Sequence, residues 1–223
     1  MGYEATLSRV ETYFDRTATD VWARLTSDAP VSRIRATVRA GRAAMRVRLL
    51  ARLPADLTGA RVLDAGCGAG PLSAELAARG AEVVGVDISP ALIRIAEARL
   101  DPALAGRVHF RSGDMLDPAL GHFDHVVAMD SLIYYAEPEL RRALEALGAR
   151  TAGGVLFTVA PRTPLLMAMW RLGKAFPHAD RSPVMVPHAP ARLAALMAGA
   201  GRVADLGREA RGFYISHAME FRA

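Results

Sequence analysis

Three acidic residues each follow an apolar stretch that predicts a β-strand. Asp64 ends the run in "ARVLDAG", Asp87 ends that in "VVGVDIS", and Asp114 follows "VHFRSG". In an open α/β sheet, ligands bind outside the carboxyl ends of the parallel strands. A carboxylate in that place accepts hydrogen bonds from hydroxyl and amino groups and balances a positive charge. The spacing therefore predicts a ligand that carries such groups.

A glycine-rich segment, "VLDAGCGAGP", joins the first of these acids to a predicted helix. Gly66, Gly68 and Gly70 allow sharp turns and let a ligand approach the main chain closely. The dinucleotide fingerprint requires a glycine where this chain has Pro71, and it would set Asp64 against a pyrophosphate. The segment therefore disfavours a dinucleotide-dependent oxidoreductase. It favours S-adenosylmethionine, which carries a sulfonium and an α-amino group.

The residues beside the second and third acids complete a predicted adenosine pocket. Asp87 stands where an acid can hold both hydroxyls of a ribose, although it could instead share the N-cap of the next helix with Ser89. We expect Ile88 to cover one face of the adenine. Asp114 is expected to accept a hydrogen bond from the adenine amino group, and Met115 to pack on the ring.

The elements that must hold these residues alternate along residues 58–160. Apolar strands separated by amphipathic helices predict a parallel sheet that is covered on both faces. Residues 202–209 and 212–223 predict two more strands, and their short connection makes this pair antiparallel. The predicted fold is Rossmann-like α/β: a mostly parallel seven-stranded sheet with an antiparallel C-terminal strand, preceded by helices in residues 1–56.

The composition is that of a packed globular protein, with 223 residues of which 52% are hydrophobic. The net charge of +5 would favour an anionic substrate, an anionic lipid or nucleic acid, although arginine content also rises in GC-rich genomes. Without a zinc-finger spacing or an RNA-binding signature, we expect no nucleic-acid partner and no protein-bound metal. Cys67 is interpreted as a small filler of the glycine loop. The lone cysteine, with no secretory signal or membrane-span run, predicts a cytoplasmic protein.

A basic stripe runs along the second N-terminal helix. Between Arg33 and Arg52 there are seven arginines and no acid. This surface is a solvated helix face, a docking surface for an acidic substrate, or a contact with a membrane surface. The stripe runs parallel to an apolar side of the helix, and its members are Arg35, Arg39, Arg42 and Arg46.

The motifs "VLDAGCGAG", "VVGVDIS", "SGDM" and "FDHVVAMD" resemble those of class I S-adenosylmethionine-dependent methyltransferases. Four further segments resemble the magnesium-protoporphyrin IX O-methyltransferases of bacteriochlorophyll synthesis: "VETYFDRTATDVWARLTSDAPVSRIRATVRAGR", "DSLIYYAE", "FPHADRSPVMVPH" and "GFYISHAMEF". The resemblance to this family extends over essentially the whole chain. The resemblance implies methyl transfer from S-adenosylmethionine to a propionate carboxylate of magnesium-protoporphyrin IX. The products would be the monomethyl ester and S-adenosylhomocysteine. It also implies work alongside magnesium chelatase and weak attachment to the photosynthetic membrane.

The resemblance divides the chain into a substrate-cap segment, 1–56, and a methyltransferase domain, 57–223. A flat macrocycle with two propionates needs an aromatic and apolar wall, for which Trp22, Phe14 and Tyr13 of the first segment are candidates. It also needs cationic groups for its carboxylates, which the basic stripe could supply. The stretch from Met167 through Met169 to Trp170 could add an adaptable wall, or it could be ordinary core.

Ester formation calls for positioning groups, because a propionate is already ionised near neutral pH. A tyrosine hydroxyl would orient it with less stabilisation of the ground state than an arginine. The resemblance implies two such positions: Tyr13 in "YFD", and position 134, where many relatives have histidine and this chain has Tyr134. In an extended chain, Tyr135 would then point away from the acceptor. Met129 is the expected backbone contact with the cofactor's methionine part.

Three alternatives stay open at this point. His188 could orient the acceptor, face its magnesium, or be an exposed loop histidine. The acceptor could be another small molecule, such as a quinone precursor, which would need a base or an activated ring carbon. The chain could also bind S-adenosylmethionine without catalysis, in which case Tyr13 and a substrate cleft need not be retained.

Overall fold

The computed structural model describes residues 2–15, 32–162 and 185–223. Trp22, Met167, Met169 and Trp170 lie outside these ranges, so their expected place at the acceptor wall stays a prediction.

A mixed β-sheet forms the centre of the described part of the chain. Its strands are β1 (Arg61–Ala65), β2 (Glu82–Asp87), β3 (Val108–Ser112), β4 (Phe123–Ala128), β5 (Thr151–Pro161), β6 (Pro187–His188), β7 (Arg202–Arg211) and β8 (Tyr214–Arg222). The order is β3-β2-β1-β4-β5-β8-β7, and the short β6 pairs with the end of β5. Strands β1 to β5 are parallel, whereas β8 is antiparallel to both of its neighbours. The predicted Rossmann-like sheet is confirmed.

Six α-helices accompany the sheet within the described ranges: α1 (Tyr3–Tyr13), α2 (Arg33–Leu50), α3 (Pro71–Ala78), α4 (Pro90–Arg99), α5 (Glu137–Gly148) and α6 (Pro190–Met197). Helices α3, α4 and α6 begin with proline, whose fixed φ suits the first helical position. The N-cap of α4 is Ser89, whose hydroxyl accepts a hydrogen bond from the amide of Leu92 at 3.2 Å. None of these helices is both long enough and apolar enough to cross a bilayer.

Neighbouring residues of the central strands face opposite layers of helices. Leu63 and Val126 belong to the buried cluster that includes the inner faces of α5 and α6. Val62 and Val127 belong to the cluster formed with α2 and α3. This two-residue alternation buries both faces of the sheet under helices. Polar side chains can therefore meet a ligand only at the ends of the strands.

Candidate active site

A cavity lies at the carboxyl ends of β1, β2 and β4. It encloses about 790 Å³ of empty space, including its mouth to solvent. Strand order reverses between β1 and β4, and ligands of open α/β sheets bind at such switch points. Leu7 and Val10 of α1 and Phe14, which follows that helix, form part of the wall.

The glycine loop after β1 forms the floor of the cavity. Gly66 and Gly68 have φ angles of 84° and 55°, which glycine adopts without steric cost. A Cβ at position 66 would lie 2.3 Å from that of Ser131, so the loop and the segment after β4 touch. The amides of Gly66 and Cys67 both donate to the carbonyl of Val86. Burial raises the pKa of the Cys67 thiol, which fits a neutral filler.

Asp87 and Ile88 lie in the cavity wall, as expected. The Asp87 carboxylate accepts hydrogen bonds from the amides of Gly68 at 2.8 Å and Ser89 at 3.0 Å, one on each oxygen. Burial raises the pKa of Asp87, and the two bonds oppose that rise. Each carboxylate oxygen has a second lone pair, so the held group can still accept from a pair of hydroxyls.

Asp64 lies behind the glycine loop, outside the cavity wall. Its side chain is 1% exposed and accepts a hydrogen bond from the Ser73 hydroxyl of α3 at 2.6 Å. Burial is the main cause that raises the pKa of Asp64 to about 7. Asp64 is therefore not placed to contact a ligand in the cavity directly, and its charge would act on a bound cation only over a distance.

Asp114 is also absent from the wall, while its neighbour Met115 lines it. The Tyr3 hydroxyl of α1 donates to Oδ1 of Asp114 at 2.5 Å, and the amide of Leu116 donates to the same atom at 2.8 Å. The Tyr3 ring also stacks on Tyr135, with ring centroids 5.2 Å apart. Helix α1 thus holds the third acid at the edge of the cavity.

Both adjacent tyrosines line the cavity. The expectation that Tyr135 points away is wrong, because Leu132–Tyr134 forms a 3-10 turn and the chain is not extended there. Burial raises the pKa of both Tyr134 and Tyr135, and the negative charge of Asp130 adds to the rise at Tyr134. Both groups are therefore protonated hydroxyls near neutral pH and can donate hydrogen bonds.

Tyr13 is half-buried, and its ring meets that of Phe14 edge-on at 5.1 Å. Phe14 lines the cavity, and Tyr13 packs beside it in the cluster that contains Tyr134. The role expected of Tyr13 stays a prediction.

Met129 lines the cavity, and Asp130 follows it with a φ of 57°. Asp130 is the one non-glycine residue with positive φ in the described ranges, a conformation that costs free energy and concentrates at functional sites. Its carboxylate pairs with Arg42 of α2 at 2.5 Å. Sequence reasoning placed Arg42 in a surface stripe and did not link it to Asp130.

Three further arginines at the C-terminal end of α2 and just beyond it tie this helix to the rest of the chain. Beyond Arg42, the ion pairs are Arg46 with Glu75, Arg48 with Glu209 and Arg52 with Glu220. The three interpretations of the arginine-rich surface were a solvated face, a docking surface for an acidic substrate and a membrane contact. They now concern only the N-terminal part of α2, where Arg33, Ile34 and Arg35 are exposed.

His188 is buried with 2% exposure, and its Nε2 lies 3.0 Å from the carbonyl oxygen of Tyr135. Because a carbonyl only accepts, Nε2 carries the proton. Burial lowers the pKa of His188, so the ring is neutral near neutral pH. It is neither an exposed loop histidine nor part of the cavity wall; it supports the backbone behind Tyr135.

Comparison with known proteins identifies the family. Residues 128–223 match the family model for the magnesium-protoporphyrin IX methyltransferase C-terminus, and residues 62–153 match a methyltransferase domain. The magnesium-protoporphyrin O-methyltransferase of Rhodobacter capsulatus is 59% identical over 222 residues, which cover 99% of this chain and 98% of that protein. The chain belongs to the magnesium-protoporphyrin O-methyltransferase family.

A solved structure supports the same relationship for this family member. The crystal structure of a magnesium protoporphyrin IX methyltransferase from Synechocystis with bound S-adenosylhomocysteine has a TM-score of 0.81 and 28% sequence identity. The match covers 97% of this chain and 99% of that one, so it includes the N-terminal segment as well as the sheet.

A ubiquinone biosynthesis O-methyltransferase from Xanthomonas euvesicatoria is 35% identical, but over only 126 residues, or 54% of this chain and 52% of that protein. This family member therefore shares a methyltransferase core with the quinone enzymes and its full length with the magnesium-protoporphyrin enzymes.

Sequence reasoning missed Tyr3, Ser73, Tyr214 and Ser216, which hold the acids of this O-methyltransferase in place. The sequence pattern that could have indicated these residues is a polar side chain on the otherwise apolar, buried side of a helix or strand. Tyr214 and Ser216 show that signal, because both are buried on β8.

Proposed function

We propose that this protein transfers a methyl group from S-adenosylmethionine to a propionate carboxylate of magnesium-protoporphyrin IX. The products are the monomethyl ester and S-adenosylhomocysteine, in bacteriochlorophyll biosynthesis. The observation that carries this proposal is the 59% identity with the Rhodobacter capsulatus enzyme along the whole chain, flanks included. We further propose that residues 1–56 act as the substrate cap on the methyltransferase domain, 57–223.

The cavity wall fits the adenosine part of the cofactor. Asp87 would hold the ribose hydroxyls with the lone pairs left on its two oxygens. Ile88 and Met115 lie in the wall and would cover the two faces of the adenine. Both described bonds of Asp114 go to Oδ1, so Oδ2 would accept from the adenine amino group.

The glycine loop and the end of β4 would hold the methionine part. Gly66 and Gly68 line the cavity, and a Cβ at Gly68 would meet nothing within 4 Å, which leaves space beside the loop for a ligand. Met129 would contribute its backbone. The negative charge of Asp64 would favour the sulfonium from behind the loop.

The chain's own contribution to the reaction is position and exclusion of water. The bound cofactor supplies a methyl group on a sulfonium, and a propionate is a nucleophile without further deprotonation. The Tyr134 hydroxyl, held protonated in the wall, would donate to one carboxylate oxygen, and Tyr13 would do so from the cap. Such orientation can lower a barrier by several kcal/mol, with an upper range of about 7–11.

The proposed activity is tested by incubating the purified protein with S-adenosylmethionine and magnesium-protoporphyrin IX. Chromatography of the pigment is expected to give the monomethyl ester. A preparation that binds S-adenosylhomocysteine but yields no ester would contradict the proposal and favour a binding protein without catalysis.

We also propose a weak contact with an anionic membrane surface through the exposed N-terminal end of α2. Arg33 and Arg35 flank Ile34, which is 53% exposed, and basic groups around an apolar side chain suit such a surface. On this proposal the protein works at the membrane periphery alongside magnesium chelatase, because the reaction that inserts magnesium must supply the substrate.

A further inference from the structure

A buried hydrogen bond joins the start of α1 to the loop after β3. Tyr3 is 6% exposed, and its hydroxyl donates to Oδ1 of Asp114, which lies 111 residues further along the chain. The amide of Leu116 donates to the same oxygen. Burial raises the pKa of Tyr3, so its hydroxyl keeps its proton near neutral pH and remains a donor to the carboxylate.

The ring of Tyr3 is held independently of this hydrogen bond. It stacks on the ring of Tyr135 with an interplanar angle of 15°, and Cζ of Arg142 lies 5.8 Å from its centroid. Stacking and a nearby guanidinium both stabilise an aromatic ring in place. The hydroxyl is therefore delivered to Asp114 by a fixed side chain, and a phenylalanine would keep both ring contacts.

Arg150 fixes the backbone of the same loop. It is 8% exposed, and its guanidinium donates to the carbonyls of Met115 and Asp117, both at 2.5 Å. Gly113 and Met115, the two neighbours of Asp114, line the cavity. With the main chain held from this side, the orientation of the Asp114 carboxylate depends on the donors from Tyr3 and Leu116.

A carboxylate in a fixed orientation can discriminate between purine bases. It only accepts hydrogen bonds, and the donors from Tyr3 and Leu116 both go to Oδ1, which leaves Oδ2 as an acceptor. Adenine presents an amino group at its 6-position, which donates. Hypoxanthine presents an oxo group there, and two acceptors that face each other repel.

We propose that Tyr3 is a positioning residue that fixes Asp114 for the 6-amino group of the cofactor, so that α1 contributes to the selection of adenine over 6-oxopurines. Tyr3 itself is outside the cavity wall and acts through Asp114. The inference rests on the proposed function, in which Asp114 accepts from the adenine amino group.

The test compares the binding of two ligands by calorimetry: S-adenosylhomocysteine and its analogue with hypoxanthine in place of adenine. The unmutated protein should prefer the adenine ligand about 10- to 100-fold, because the analogue leaves a charged acceptor unpaired. Tyr3→Phe should reduce this preference about 3- to 10-fold, mainly by weakening S-adenosylhomocysteine. An unchanged preference in Tyr3→Phe, or an equal loss for both ligands, would overturn the proposal.

A double-variant cycle shows whether Tyr3 acts through Asp114. Asp114→Asn presents an amide that can donate to an oxo group or accept from an amino group, so the preference should nearly vanish. In that background Tyr3→Phe should have no further effect on the preference, because its partner has been removed. A Tyr3→Phe effect as large as in the unmutated protein would show that Tyr3 acts by packing, and would overturn the positioning role.

Thr6→Val is the matched control on the same helix. Thr6 is 8% exposed, and the hydrogen bond of its hydroxyl goes to the carbonyl of Gly2 and not to the loop after β3. This variant should keep the preference for adenine, and a loss equal to that in Tyr3→Phe would overturn the assignment to the Tyr3 hydroxyl. The comparison of Tyr3→Phe with Thr6→Val decides the question even if Asp114→Asn does not fold.

Failure of the proposed function would look different. It would show as absence of ester from the unmutated protein, whereas the preference between the two bases is measured by binding alone.

Discussion

At the scale of single residues, Asp64 gives the site a dependence on pH. Its burial raises its pKa to about 7, so the protonated and ionised forms coexist near neutral pH. A sulfonium favours the carboxylate, and binding should then release a proton. We expect affinity for S-adenosylmethionine, measured by calorimetry, to rise severalfold between about pH 6 and pH 7.5.

Asp64→Asn should flatten this rise in affinity. Burial also raises the pKa of Asp87, so the variant shows which of the two acids causes the pH dependence. An unchanged slope in the variant would assign the dependence to another group.

The adjacent tyrosines provide a second residue-scale prediction. Tyr134→Phe removes a hydroxyl that would orient the acceptor carboxylate, and a lost hydrogen bond of this kind predicts a fall in kcat of about 3- to 10-fold. Affinity for S-adenosylhomocysteine should not change.

Tyr135→Phe is the matched comparison, because the Tyr135 hydroxyl shares a hydrogen bond with the Tyr3 hydroxyl, whereas its ring would keep the stack on Tyr3 without it. Equal effects on kcat in both variants would mean that Tyr134 has no special role.

At the scale of elements, the glycine loop is fixed by its contact with the segment after β4. Gly66→Ala would place a Cβ 2.3 Å from that of Ser131, at a φ of 84° that alanine avoids. A strained backbone position costs of order 1–3 kcal/mol, so cofactor affinity should fall by about 10-fold or more.

Gly199→Ala provides the comparison, because a Cβ there meets nothing within 4 Å. Calorimetry and thermal unfolding of both variants check this prediction, and full affinity in Gly66→Ala would show that the loop adapts.

The two ends of α2 should differ in their effect on membrane binding. Replacing Arg33 and Arg35 with glutamine removes two exposed charges, each worth about 1 kcal/mol near an anionic surface. Co-sedimentation with anionic vesicles at low salt should fall accordingly.

Replacing Arg46 and Arg48, which pair with acids of the chain itself, changes the net charge equally but should reduce binding less. Equal losses would indicate a general charge effect without a defined surface.

At the scale of the whole molecule, local patterns predicted the sheet and part of the site. Alternating apolar strands and amphipathic helices determine the topology. Asp87, Ile88 and Met115 lie in the wall because each stands at the carboxyl end of a strand or in the loop that follows it. The sequence could not show that Asp64 and Asp114 lie outside the wall whereas Asp87 lies in it. The directions of their side chains depend on hydrogen-bond partners on other elements.

Those partners are distant in the chain. Tyr3 lies 111 residues from Asp114, and Arg42 lies 88 residues from Asp130, so no local pattern links them. The periodicity of apolar residues also gave no sign of the 3-10 turn at Leu132–Tyr134, which brings both adjacent tyrosines to the cavity wall.

The central claim is that the methyl group is transferred to a carboxylate oxygen. The most direct measurement uses S-adenosylmethionine labelled in its methyl group, with magnesium-protoporphyrin IX as acceptor, followed by mild alkaline hydrolysis of the isolated pigment. An ester loses its methyl group as methanol, whereas a methyl group on carbon stays. We predict labelled pigment whose label leaves completely as methanol; an unlabelled pigment, or a label that survives alkali, would contradict the account.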